Sequence, residues 1–160
     1  MDPLLFDDVG EVARALAPPD LGPLRRRAHR YGVKAWFGDE RPTKEHYEAQ
    51  VVSARTVPGA KALVVEVGFH AEHAQAADND AAIERLRGAE AEWRTVLGDE
   101  AEVGPFLGRA ETWRRVSETW ADPDLGQAGM AFVLGARLAD YIAALEPVLR
   151  RRQQLRSPQG

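Results

Sequence analysis

The chain has no cysteine and only two methionines among its 160 residues. The first absence excludes a disulfide framework, thiolate zinc sites and cysteine nucleophiles, and it gives no sign of an oxidising compartment. The second excludes a methionine-rich interaction groove. No apolar run approaches the roughly 18 residues of a membrane span, and the N-terminus MDPLLFDDVGEVARAL carries acids where a signal peptide needs a basic region. A cytoplasmic protein is expected. The motifs G-x-x-x-x-G-K-[ST], G-x-G-x-x-G, G-x-S-x-G and H-E-x-x-H are also missing, which removes support for the common nucleotide, dinucleotide, hydrolase and zincin readings.

What is present describes an ordinary globular chain. Hydrophobic residues make up 44% and charged residues 29%, so disorder, coiled coil and collagen are disfavoured. The length suits one domain over 1–156, with 157–160 as a frayed tail. A net charge of −4 argues against a general nucleic-acid coat, yet the basic residues are uneven. Arg25, Arg26, Arg27, Arg30 and Lys34 form one group, and Arg150, Arg151, Arg152 and Arg156 another.

Periodicity gives the order of elements. Val9, Val12, Ala13 and Leu16 suit a short helix ending at Pro18 and Pro19, and Leu21, Leu24, Ala28 and Tyr31 suit a second from Asp20 to Gly32 with its arginines outward. Strand-like runs follow over 33–37, 45–54 and 61–69, joined too closely for parallel crossovers. A helix from Asp78 closes at Gly98, with Trp93 on its apolar stripe and expected inside. Residues 101–121 suit either a helix or a strand. A last helix from about Gly129 should be kinked or interrupted at Pro147. The fold class expected is α+β: an antiparallel meander of three or more strands packed against helices in two layers.

A three-residue turn centred on Pro58 would pair the second and third runs so that opposed residue numbers sum to 116. One face then carries Leu63, Val65, Val67 and Phe69 opposite Ser53, Val51, Ala49 and Tyr47. The other carries Val64, Glu66, Gly68 and His70 opposite Val52, Gln50, Glu48 and His46. Two carboxylates and two imidazoles on one face could bind a divalent metal through His46, Glu48, Glu66 and His70, or supply catalytic Glu48, Glu66 and His70 to a metal-assisted, nuclease-like hydrolase. The alternative is a solvated sheet face whose polar residues only keep the apolar side in the core. His70, Glu72 and His73 form an H-A-E-H run past the strand, which reads as weak metal spacing or as a polar loop.

The arginines Arg25, Arg26, Arg27 and Arg30, with Lys34 and Trp36 as neighbours, could contact nucleic acid or an acidic protein partner, or could line a plain helix surface. The four tryptophans, Trp36, Trp93, Trp113 and Trp120, could include a stacking platform or an interface anchor, but core packing suits most of them better.

From Leu63 onward, the segments VVEVGFHAEH, AAIERLRGAEAEWRTVLGDE, ETWRRVSETW and a closing LEPVL resemble an uncharacterised bacterial domain family that accompanies restriction-nuclease-like domains. The resemblance implies an α+β accessory or binding module in DNA restriction or defence, and it carries over no catalytic residue. Residues 20–97 also have the element order of a restriction-nuclease core, without its acid followed by E-x-K, since Glu66 precedes Val67 and Gly68.

Overall fold

The computed structural model describes residues 1–108 and 110–156, with 152–156 described by their backbone alone. The tail expected to fray, 157–160, lies outside the described residues, as do the side chains of Arg152 and Arg156. Helix α1 (Leu5–Leu16) places Asp7 and Asp8 in its first turn and buries Leu5, Phe6, Val9, Gly10 and Ala13. Acids there meet the positive end of the helix dipole.

The helix expected over 20–31 does not form. A 3-10 turn at Pro19–Leu21 ends at Gly22, whose φ of 86° takes the chain out of helical conformation. Arg25, Arg26 and Arg27 then fall on strand β1 (Arg25–His29), with Arg30 in the turn after it, and β1 pairs with β2 (Gly32–Trp36) from Arg25 opposite Trp36 to His29 opposite Gly32. Leu21 and Leu24, read as a helical stripe, are buried by the turn and by the extended lead into β1.

Strands β3 (Glu45–Ser53) and β4 (Leu63–Ala71) pair in the expected register, with Gln50 opposite Glu66 and Tyr47 opposite Phe69. Their connection is longer than a three-residue turn: it holds a 3-10 turn at Ala54–Thr56 and then 57–62. Asp122 clips its far end by accepting the backbone N–H of Lys61, Ala62 and Leu63 at 2.8, 2.6 and 3.1 Å.

The helix expected from Asp78 onward is two helices, α2 (Ala76–Arg87) and α3 (Glu90–Leu97), broken at Gly88 and Ala89. Trp93 is buried on α3 as its position on the stripe requires. The undecided stretch becomes β5 (Glu102–Pro105) and β6 (Arg114–Ala121). Helix α4 (Met130–Arg156) continues through Pro147. The missing N–H would have reached Ala143, an exposed residue whose carbonyl water can serve.

The sheet runs β1-β2-β3-β4-β6-β5 with every pair antiparallel, so β1 and β5 are its edges. Its apolar face, Val33, Ala35, Tyr47, Ala49, Val65, Val67, Phe69 and Val116, shares one core with Phe6, Val9, Leu134, Leu138, Ile142 and Leu145 of the helices. Burial of each such large side chain stabilises the fold by about 1.5–3 kcal/mol. This is an α+β architecture of one antiparallel sheet packed against helices. Among the described residues, no helix is long and apolar enough to cross a membrane.

Candidate metal centre

The polar face of β3 and β4 is not solvated. His46, Glu48, Glu66 and His70 are 2%, 4%, 0% and 0% exposed. The alternation that keeps them off the hydrophobic core is read correctly from sequence, but the segment after β5 folds over them. Phe106 sets its ring edge-on to His70 with centroids 5.0 Å apart, and Trp113 packs on Phe106 at 5.2 Å.

Four side chains converge there: His46 and Glu48 from β3, His70 from β4, and Glu72 just beyond β4. Glu72 keeps strand parity because its N–H continues the ladder to the Lys44 carbonyl at 2.8 Å. His46 Nε2 lies 3.3 Å from Glu48 Oε2 and 3.3 Å from Glu72 Oε1. His70 Nδ1 lies 3.0 Å from Glu48 Oε2 and 3.3 Å from Glu72 Oε1. A point equidistant from four donors so spaced sits about 2.0 Å from each if they form a tetrahedron and about 2.3 Å from each if they form a square. The tetrahedral distance is the bond length of Zn²⁺ to imidazole nitrogen and carboxylate oxygen, and the square one borders on the roughly 2.3–2.6 Å of Ca²⁺, an ion that takes oxygen ligands rather than imidazole.

A further set of side chains orients the donors. His46 donates Nδ1–H to the Thr43 carbonyl at 2.8 Å, which leaves the Nε2 lone pair for the cluster. Lys34 Nζ donates to Glu72 Oε2 at 3.3 Å. Glu66 stands outside the four, on the far nitrogen of His70, with Oε1 3.0 Å from Nε2. That approach is a charge contact and falls short of an aligned hydrogen bond.

Without an ion, protons hold the cluster together. Burial alone would raise the Glu48 carboxyl, but hydrogen bonds from His46 and His70 and their charges outweigh it and hold its pKa at about 2. The same balance holds Glu72 well below the usual carboxylate range. Burial pushes His70 down, yet the Glu66 charge and the close contacts with Glu48 and Glu72 carry it well above its ordinary value. His46 is raised against its own burial by Glu48 and Glu72.

The sequence-derived metal set thus comes together in three members, His46, Glu48 and His70, with Glu72 as the fourth donor and Glu66 one step behind. Glu72 was legible: residues 68, 70 and 72 share one parity, and the expected strand simply stopped too early at Phe69. His73, its neighbour, faces the other way and pairs with Glu45 at 2.7 Å. Glu45 and His73 line a cleft of about 500 Å³ on the helical face with Tyr47 and Glu146. None of the four donors lines that cleft.

The basic group is split by strand alternation. Arg25, Arg27 and His29 are exposed on the face that carries the His–Glu cluster, in line with Lys34 on β2. Arg26 points to the helical face and pairs with Glu11 of α1. Arg30 lies over the Tyr31 ring, 5.6 Å from its centroid. Trp36 is 3% exposed and donates Nε1–H to the Asp39 carbonyl, so its ring is no stacking platform.

Comparison with known proteins gives no relative: no family model matches the chain, no curated protein matches it, and no solved structure matches its fold.

Proposed function

We propose that this is a metal-binding protein whose buried His46, Glu48, His70 and Glu72 hold a divalent first-row transition ion, Zn²⁺ foremost. The observation that carries this reading is the set of four donor separations of 3.0–3.3 Å around one point. The donor chemistry supports it as well. Two imidazoles and two carboxylates suit Zn²⁺, which imposes no geometry of its own, and Cu²⁺ would compete by raw affinity.

Four protein ligands fill a tetrahedral site, and closed sites of this kind are structural. The ion would tie β3, β4 and the segment after β4 together. A metal-assisted hydrolase needs an open coordination position, so the accessory-module reading is the better supported of the two. Freedom from cysteine suits the cytoplasmic location that goes with it.

The test is direct. Protein purified without an affinity tag is stripped with EDTA, dialysed, and titrated with Zn²⁺, Mn²⁺ and Mg²⁺ while its melting temperature is followed. One equivalent of Zn²⁺ should bind and raise the melting point, because an ion that binds only the folded state stabilises it. A melting point indifferent to Zn²⁺ and Mn²⁺ would sink the proposal.

A second reading is favoured by one observation: Arg25, Arg27 and His29 stand exposed on one face of an edge strand. The two arginines on that face suit contact with the phosphates of nucleic acid. Mobility-shift titrations at low salt should show binding that weakens steeply as salt rises. No shift at low salt removes this reading.

A further inference from the structure

Glu66 has no exposed surface, yet it donates no atom to the four-membered cluster. A buried carboxylate is costly unless it is paired and hydrogen-bonded, and Glu66 is held with care. Its Oε1 accepts from Gln50 Nε2 at 2.9 Å and its Oε2 from Ser117 Oγ at 2.7 Å. Ser117 Oγ in turn accepts from Arg115 Nη1 at 2.8 Å. Packing alone gives no reason for this arrangement, since Val52 and Val64 occupy the neighbouring positions on the same face.

The reason lies on the other side of the carboxylate. Among the described residues, His70 Nε2 is the buried side-chain atom without an aligned hydrogen-bond partner, and Glu66 Oε1 is 3.0 Å from it. The two histidines therefore differ behind the ring. His46 backs onto a neutral carbonyl, that of Thr43, and His70 backs onto a negative charge.

We infer that Glu66 is a positioning residue of the metal centre: it takes the Nε2–H of His70, so that the Nδ1 lone pair faces the ion. Its charge also makes that imidazole a stronger donor, as carboxylates behind metal-bound histidines do. The inference rests on the metal-centre reading and deepens it. Gln50 and the Arg115–Ser117 pair act through Glu66 by holding it in place.

The experiment uses the full chain, stripped of metal and titrated with Zn²⁺ against a chromophoric competitor. Glu66→Gln should weaken Zn²⁺ binding about 10–100-fold, and Glu66→Asp, which keeps the charge, should recover part of that loss. Melting curves of the metal-free variants separate lost affinity from lost fold. Nitrogen-15 imidazole spectra supply a readout that a purely structural role would not move. In the zinc-loaded wild type, His70 should carry its proton on Nε2 and bind through Nδ1, and the Nε2–H resonance should shift in Glu66→Gln. If the wild type binds Zn²⁺ and Glu66→Gln binds it as tightly, or if His70 binds through Nε2, this assignment fails alone. A wild-type chain that takes up no Zn²⁺ overturns the metal-centre reading and this assignment with it.

Discussion

Glu72 Oε1 lies 3.3 Å from His46 Nε2, one side chain just past the end of β4 and the other near the start of β3. The contact closes the ring of donors from outside the regular sheet. Glu72 is also the most exposed of the four, at 10% of its side chain, so its removal should disturb the fold least. Glu72→Gln is expected to weaken Zn²⁺ binding at least about tenfold, the lower end of what even an outer partner contributes. A competition titration measures this.

His46 should behave differently because it is buried between two carboxylates. His46→Ala leaves Glu48 without one of its two imidazole partners, and breaking a buried pair costs about 3–5 kcal/mol. The metal-free variant should therefore unfold at clearly lower urea concentration than the wild type. Equal midpoints with equal slopes would contradict the pairing.

The response to pH should reverse when metal is added. In the metal-free protein, His46 and His70 are raised above 6.5, so their stabilisation is full below about 6.5 and is lost as the pH rises through the folded values. Glu48 is depressed from 4.5 to about 2, so its share is present above about 4.5 and is lost as the pH falls towards 2. A metal ion needs both donor nitrogens free of protons. The gain in melting temperature on adding Zn²⁺ should therefore grow between about pH 5.5 and 8. Calorimetric scans at both ends test this, and a gain that shrinks with rising pH would count against the site.

Asn79 on α2 knots together two segments that frame the centre. Its Oδ1 accepts the N–H of His73 at 2.8 Å, and its Nδ2 donates to the carbonyls of His73 at 3.0 Å and Thr112 at 2.8 Å. Asn79→Ala removes three hydrogen bonds to the backbone of His73 and Thr112, each worth about 1 kcal/mol. A total near 3 kcal/mol corresponds to a fall in melting temperature of about 6–12 °C for a chain of this size. A fall under about 2 °C would show that the knot is not needed.

Gly68 sits opposite Glu48 in β3 and Ser117 in β6. A Cβ at this position would stand 2.4 Å from the Val116 carbonyl oxygen and 2.5 Å from Ser117 Cα. Both obstacles are backbone, so Gly68→Ala must push β4 and β6 apart. A cost of about 1–3 kcal/mol is expected, with faster amide exchange along β6 as its local signature.

The β3–β4 register was legible because a strand repeats every two residues, and one correct pairing places every other residue. The burial of the polar face was not, because it depends on Phe106 and Trp113 arriving from a distant connection whose path no local pattern records. The misread of β1 has a local cause. Arg25, Arg26 and Arg27 put charge on both faces of an edge strand and so erase the alternation that marks a strand, while Leu21, Leu24 and Ala28 imitate a helical stripe. Proline does not interrupt α4, for the opposite reason: Pro147 breaks one hydrogen bond in a helix whose Leu134, Leu138, Tyr141, Ile142, Leu145 and Leu149 are all buried, and that packing outweighs one local defect.

The two open edges of the sheet determine how the molecule meets copies of itself. Strand β5 is four residues long and ends in Pro105, which has no N–H to offer a further strand. Strand β1 is longer, but an antiparallel copy laid along it would set exposed Arg25 and Arg27 against the same cations of its twin. Neither border accepts an added strand readily, so the sheet stops at six and the chain is guarded against edge-to-edge aggregation at high concentration.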